Sequence, residues 1–136
     1  MTALIDTGFM LAVLAHNDSH HAACRAVIAN ERNALLPSVV LPELAYLVIR
    51  DLGYPVLVLF LRQLLNNPEQ LIETTPADLR RAADLLEKYR DAHLDFVDCV
   101  IVAIAERLKI SRILTVDRRD FSILRPAHIE AFEILP

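Results

Sequence analysis

Glycine is scarce in this chain of 136 residues: only Gly8 and Gly53 occur. A glycine-rich phosphate loop is therefore excluded, and so is a flexible Gly/Ser linker. With no internal repeat and no low-complexity segment, nothing marks a domain boundary, and residues 1–136 are expected to form one domain with a full core. Cysteine is equally rare. Cys24 and Cys99 show neither a CxxC nor a Cys/His spacing, which predicts two reduced thiols in a cytoplasmic protein. No GxSxG elbow and no Cys/His nucleophile pair occurs. Long apolar runs are missing too. The longest, Tyr54 to Leu61, is far short of a membrane span, and Met1 to Leu14 lacks the basic start of a signal peptide and carries Asp6 early. Lysine is nearly absent: of 14 basic residues only Lys88 and Lys109 are Lys, and the rest are Arg, whose planar fork suits phosphate. The net charge of −4 does not announce a nucleic-acid binder, although such a count misleads when several acids gather on a metal.

What is present is a 54% apolar composition that alternates strand-like and helix-like segments. Strands are expected at Ala3–Asp6, Ala34–Pro37, Gln70–Thr74, Ser111–Val116 and Glu130–Leu135. Helices are expected from Thr7 to about Ala15, from His20 to Asn30 with Ser19 as a possible cap, and from the second strand to Leu52, stopped by Gly53. Further helices are expected over Val56–Leu65, from Pro76 to about Tyr89, and over Phe96–Leu108, in which Cys99 to Ala105 has no polar side chain on any face. Strands alternating with helices predict an α/β fold, a three-layer α/β/α sandwich around a mostly parallel sheet. In such sheets sites form beyond the carboxyl ends of the strands.

Four segments place an acid where that edge should lie. Ala3-Leu4-Ile5-Asp6 and Leu114-Thr115-Val116-Asp117 are apolar runs that stop at Asp. Glu43 has Val39, Val40, Tyr46 and Leu47 as its helical neighbours, a stripe on which a lone carboxylate costs several kcal/mol. Asp95 reads as the N-cap of the Phe96 helix, and Asp98 follows on the same side one turn in. Asp120 reads as a loop or cap acid, or a peripheral ligand. Two carboxylates about 4 Å apart repel by roughly 4 kcal/mol at an effective dielectric near 20. Hard divalent cations relieve such a cluster. Asp6, Asp98 and Asp117, with Glu43 directly or through water, are thus expected to bind Mg²⁺ or Mn²⁺ for phosphate chemistry.

Leu4-Ile5-Asp6-Thr7, Pro42-Glu43-Leu44, Asp98-Cys99-Val100-Ile101-Val102-Ala103 and Leu114-Thr115-Val116-Asp117-Arg118-Arg119-Asp120-Phe121 together resemble the motifs of PIN-domain ribonucleases, and more narrowly of VapC-type toxins of toxin–antitoxin pairs. The resemblance runs the length of the chain to Phe132-Glu133-Ile134-Leu135-Pro136. It implies a PIN-like sandwich, a divalent metal, endonucleolytic RNA cleavage leaving 5′-phosphate and 3′-hydroxyl ends, and an antitoxin partner. Its four acids fall on Asp6, Glu43, Asp98 and Asp117, with the Thr7 and Thr115 hydroxyls beside them. Cys99 replaces the small residue, usually Ala, that follows the third acid. Ala127-His128-Ile129-Glu130 replaces a basic, Gly-containing stretch before the last strand.

Arg112, Arg118, Arg119 and Arg125 flank the fourth acid and are candidate RNA-backbone contacts. His16, His20 and His21 read as solvated or capping side chains. The Tyr54–Leu61 stretch, with Leu64 and Leu65, should bury most of its faces, as core or as a homodimer surface, an antitoxin groove, or both. Two rival readings are a PIN-like binding module without cleavage and a receiver-type signalling domain. The second wants a Lys at the end of a late strand, and both lysines fall on helices.

Overall fold

A computed structural model describes residues 2–136. Five strands, β1 (Thr2–Ile5), β2 (Asn33–Pro37), β3 (Leu71–Ile72), β4 (Arg112–Leu114) and β5 (Glu133–Leu135), pair in the order β3-β2-β1-β4-β5. Every pairing is parallel, so the sheet is wholly rather than mostly parallel. Leu4 lies opposite Leu35 on one side and Ile113 on the other, and the three strands share one apolar layer. Seven helices cover the sheet: α1 (Thr7–Leu14), α2 (His21–Asn30), α3 (Leu41–Leu52), α4 (Tyr54–Leu64), α5 (Pro76–Lys88), α6 (Phe96–Leu108) and α7 (Arg119–Ile123). The chain winds from β1 out to β3 and then returns to place β4 on the other side of β1. Right-handed crossovers therefore put α1–α4 on one face and α5 and α6 on the other, which gives the α/β/α layering. The helix contacts follow: α1 packs on α2 and α3, α3 on α4, and α5 on α6.

The reversal leaves β1 and β4 adjacent with their carboxyl ends level, and β1 continues into Asp6, whose N–H bonds the Leu114 carbonyl at 2.9 Å. α6 is the central helix. Asp98 and every residue from Cys99 to Ala105 are buried, as its unbroken apolar run requires. Fully burying one Val, Leu or Ile contributes about 1.5–3 kcal/mol, so this segment dominates the core. Two bidentate ion pairs tie α5 to α6: Arg107 with Asp78, and Arg81 with Glu106. Asp78 also closes a capping box with Thr75 at the start of α5.

Several boundaries differ from the sequence expectation. β3 is two residues long because Pro68–Gln70 coils into a 3₁₀ turn, and β4 and β5 are shorter than expected. The Thr115 N–H still reaches the Leu135 carbonyl at 2.9 Å, so pairing outlasts the regular strand. α2 begins at His21 without a side-chain cap; Asp18, not Ser19, takes the adjacent His20 N–H at 2.8 Å. α7 was not legible as a helix in the sequence. The largest difference is α4. Of its side chains only Phe60 is buried, while Tyr54 is 69% and Leu59 57% exposed, with Leu65 just beyond it at 68%. The core reading of this stretch is overturned, because α4 packs along α3 and its outer side meets no other element of the described residues; that exposed side is the surface the homodimer or antitoxin reading requires.

Candidate active site

A cavity of about 160 Å³ opens at the carboxyl ends of β1 and β4, lined by Asp6, Thr7, Gly8, Glu43, Asp95, Val97, Asp98 and Asp117. The four acids expected to meet do meet there, from four separated stretches of chain. A larger trough of about 480 Å³ at the end of α5 is formed by Asp84, Glu87, Lys88, Arg90 and Asp91. All five are exposed and mix both charge signs, so nothing there forces a ligand.

Asp6 follows β1 and caps α1. Its Oδ1 accepts the Thr7 N–H at 2.7 Å and its Oδ2 accepts the Thr115 hydroxyl at 2.8 Å. Burial nonetheless raises its pKa above the ordinary value, and the charges of Glu43 and Asp117 add to that. Thr115 also accepts the Asp117 N–H at 3.1 Å, so one hydroxyl couples the first acid to the loop carrying the fourth. Thr7 Oγ1 is buried on the cavity wall with no partner.

Asp95 caps α6 by accepting the Val97 N–H at 2.8 Å, as its position before the apolar run predicts, and it also lines the cavity. Asp98, one turn in, is 7% exposed. Burial, the Asp6 charge and a hydrogen bond shared with Asp120 push its carboxyl up to about 10. Asp120 is pulled the other way. Burial works to raise it, but hydrogen bonds from Asp98, the Asp95 N–H and Arg119 outweigh that and hold it low. The two carboxyls are thus driven apart, Asp98 toward its neutral form and Asp120 toward its charged form. Behind Asp98, the Cys99 thiol is fully buried and pushed up to about 11, chiefly by that burial, which leaves it as inert packing.

Glu43 stands in the first turn of α3. It is exposed, as is Tyr46, so the apolar stripe inferred around it is only half real: Val40 is buried and Tyr46 is 66% exposed. Partial burial, then the Asp95 charge, raises its pKa.

The arginines separate. Arg112 lies at the amino end of β4, far along the strand from the cavity, and is held by Glu31 at 2.7 Å and Glu133 at 3.2 Å. Arg118 donates to the Ile134 and Pro136 carbonyls at the end of β5. Arg119 pairs with Asp120 at 2.7 Å and with the Ala92 carbonyl. Arg125 is exposed, with its backbone N–H on the Tyr89 hydroxyl. His16 and His21 stack at 4.8 Å, and His21 bonds the Ala12 carbonyl, in keeping with a local structural role.

One site residue was missed. A Cβ on Gly8 would come within 2.9 Å of Val116 Cγ2, so glycine lets α1 approach the loop that carries Asp117. An isolated glycine inside an apolar helix is the signal that could have found it.

Among the described residues, no group of three or more His, Cys, Asp and Glu side chains is drawn tightly enough to hold an ion as it stands. The donor chemistry nevertheless fits a hard cation. Carboxylate oxygens dominate the wall, an unpartnered buried hydroxyl sits among them, and Glu43, Asp95 and Asp117 line the same cavity as Asp6 and Asp98.

A doubly wound sheet with acids gathered at its switch point defines an α/β/α domain with an acidic, hydrolase-like site. The chain matches the PIN domain model over residues 3–125 and belongs to that family. It is 34% identical to the ribonuclease VapC26 of Mycobacterium tuberculosis over 134 residues, covering 98% of this chain and 99% of the relative. Its fold matches the crystal structure of VapC20 from the same organism, a sarcin–ricin loop cleaving toxin, with a TM-score of 0.80 at 20% identity, over 95% and 99% of the two chains. It also matches the FitAcB structure from Neisseria gonorrhoeae, with a TM-score of 0.70 at 17% identity over 97% of each chain. Family members of the VapC kind generally use divalent metal ions. The receiver-type alternative falls, since Lys88 ends α5 and Lys109 follows α6, neither at a strand end.

Proposed function

We propose that this protein is a metal-dependent endoribonuclease, the toxin of a toxin–antitoxin pair, working with Mg²⁺ or Mn²⁺. The observation that carries this reading is the convergence of Asp6, Glu43, Asp98 and Asp117 on one cavity. The ribonuclease name of the relative at 34% identity supports it. When bound, a divalent ion lowers the pKa of a coordinated water and offsets charge on phosphate oxygens.

The chain's own groups do the rest. Asp6 presents a carboxylate whose two oxygens are each fixed by one hydrogen bond, Oδ1 by the Thr7 N–H and Oδ2 by the Thr115 hydroxyl. Asp98, which burial holds toward its neutral form, would have to be ionised to serve as a ligand, so its loading would release a proton. Glu43, on the cavity wall, would hold the cation directly or through water, and its raised pKa supports a role in taking a proton from that water. Arg118 and Arg125, both exposed, are the candidates to hold the RNA backbone without reading bases, Arg118 by exchanging its bonds to the Ile134 and Pro136 carbonyls for phosphate; Arg112, held by the carboxylates of Glu31 and Glu133, is not.

Structures similar to this one include a toxin–antitoxin complex from Klebsiella pneumoniae. We assign a partner of that kind here. Tyr54, Val58, Leu61 and Leu65 recur every three or four residues and are 69%, 44%, 38% and 68% exposed, a stripe along α4 that suits an antitoxin's apolar anchor or a second copy of this chain. An antitoxin Arg would pair with two of the cavity carboxylates when metal is absent.

Cleavage of end-labelled structured RNA by the wild-type chain and by Asp6→Asn tests the activity. Metal-dependent internal cuts that Asp6→Asn removes are expected. No cleavage by the folded wild type at millimolar Mg²⁺ or Mn²⁺ would favour a binding module instead.

A further inference from the structure

Arg119 reads from the sequence as a phosphate contact, yet its donors are already committed. Its guanidinium bonds Asp120 Oδ1 at 2.7 Å and the Ala92 carbonyl, and its backbone N–H bonds Asp117 Oδ1 at 3.1 Å. Asp120 in turn accepts the Asp95 N–H on its other oxygen at 3.1 Å and shares a hydrogen bond with Asp98. This short network, in the first turn of α7, therefore touches Asp95, Asp98 and Asp117 at once. The segment it holds needs holding. His93, between Ala92 and Asp95, has φ of 53°, a left-handed conformation that a side chain enters only at a cost. Asp120 is 6% exposed, and a buried carboxylate keeps its charge only with a charged partner in good geometry. Arg119 supplies that partner from Nη1 and reaches the Ala92 carbonyl from Nη2, a planar two-nitrogen fork that the single nitrogen of an ammonium lacks.

We propose that Arg119 and Asp120 form a positioning clamp that fixes the turn from Ala92 to Asp95 and so sets Asp95, Asp98 and Asp117 in register for a cation; this rests on the metal-dependent reading above. Arg119 is then a positioning residue and not an RNA contact. The two roles predict opposite results for the same substitution. Removing a phosphate contact weakens RNA binding and lowers the salt slope by about one charge, with Mn²⁺ affinity intact. Removing an outer support of a metal ligand weakens ion binding about 10–100-fold and leaves the salt slope alone.

The experiment compares wild type, Arg119→Ala and Arg119→Lys by three readouts. Amide hydrogen exchange is followed at Asp95 and Val97 in the metal-free protein, Mn²⁺ binding by titration calorimetry, and RNA binding in EDTA across a salt series. The clamp predicts faster exchange at both amides and about 10–100-fold weaker Mn²⁺ binding in Arg119→Ala, with Arg119→Lys intermediate and the salt slope unchanged in both. Unchanged amide protection, or a flattened salt slope with native Mn²⁺ affinity, overturns it. If wild type itself binds no Mn²⁺, the metal reading fails, and amide exchange alone decides the clamp. Should Arg119→Ala not fold, Arg119→Lys, which keeps the charge and loses the fork, carries the same comparison.

Discussion

Asp98 is a buried carboxyl held far above its ordinary range, and its stability signature follows. In the metal-free fold its carboxyl is raised from 3.8 to about 10, so the folded chain keeps a proton that the unfolded chain releases. Its contribution is fully present below the unfolded value and drains away progressively as pH rises from there to the folded one. Asp98→Asn, a neutral isostere, is expected to raise the metal-free melting temperature at pH 8 by roughly 3–6 °C, about 1 kcal/mol at this chain length, and to do nothing at pH 3. A melting temperature that falls at pH 8 would show that the aspartate is already compensated without a cation. Asp95→Asn loses only part of a cap and should cost about 1 kcal/mol or less, measured by urea denaturation. Gly8→Ala drives a methyl onto Val116, a β-branched side chain with little freedom to swing away. A loss of about 1–3 kcal/mol is expected, with cleavage reduced further as the Asp117 loop shifts. Asp6, Glu43, Asp98 and Asp117 are legible in the sequence because each interrupts an apolar run. The partners of Gly8 and Asp120 are not, because a helical glycine and a loop acid mark positions in the sequence but not what they touch across the fold.

Among the elements, helices were easier to foresee than strand ends. α5 and α6 carry their own caps, Thr75 and Asp95, and an apolar period that local sequence reveals. β3 and β5 are edge strands whose length depends on a single neighbour, so the Gln70–Thr74 and Glu130–Leu135 estimates ran long. α7 has five residues, too few to show a period in the sequence. The α5–α6 pairing offers a clean test. Burial would raise Asp78, but Arg107 and Thr75 outweigh it and hold its pKa below 3.8, so its stabilisation is present above that value and lost as pH falls through the lower folded one. Arg107→Ala leaves a carboxylate that is 2% exposed without its cation and is expected to cost about 3–5 kcal/mol at pH 7, a loss that shrinks on acidification. α4 behaves oppositely. Replacing Tyr54 and Leu65 with Ser should leave urea stability within about 0.5 kcal/mol, since both are largely exposed, and should abolish co-purification with the antitoxin.

At the scale of the whole molecule, a chain of net charge −4 has to hold an anionic substrate at an acidic cavity. No helix of the described residues is long and apolar enough to cross a membrane. Local arginine charge and the cation must therefore overcome bulk repulsion, and Arg118→Ala with Arg125→Ala should lower the salt slope of RNA binding by about two charges. The central claim is that the acid cavity binds the ion that cleavage requires. The most direct test measures Mn²⁺ binding by calorimetry and RNA cleavage rate over the same Mn²⁺ series, for wild type and Asp98→Asn. The account predicts that cleavage in wild type rises with the same midpoint as binding, and that folded Asp98→Asn loses both together. Cleavage that persists in EDTA, or that survives in an Asp98→Asn chain unable to bind Mn²⁺, would contradict it.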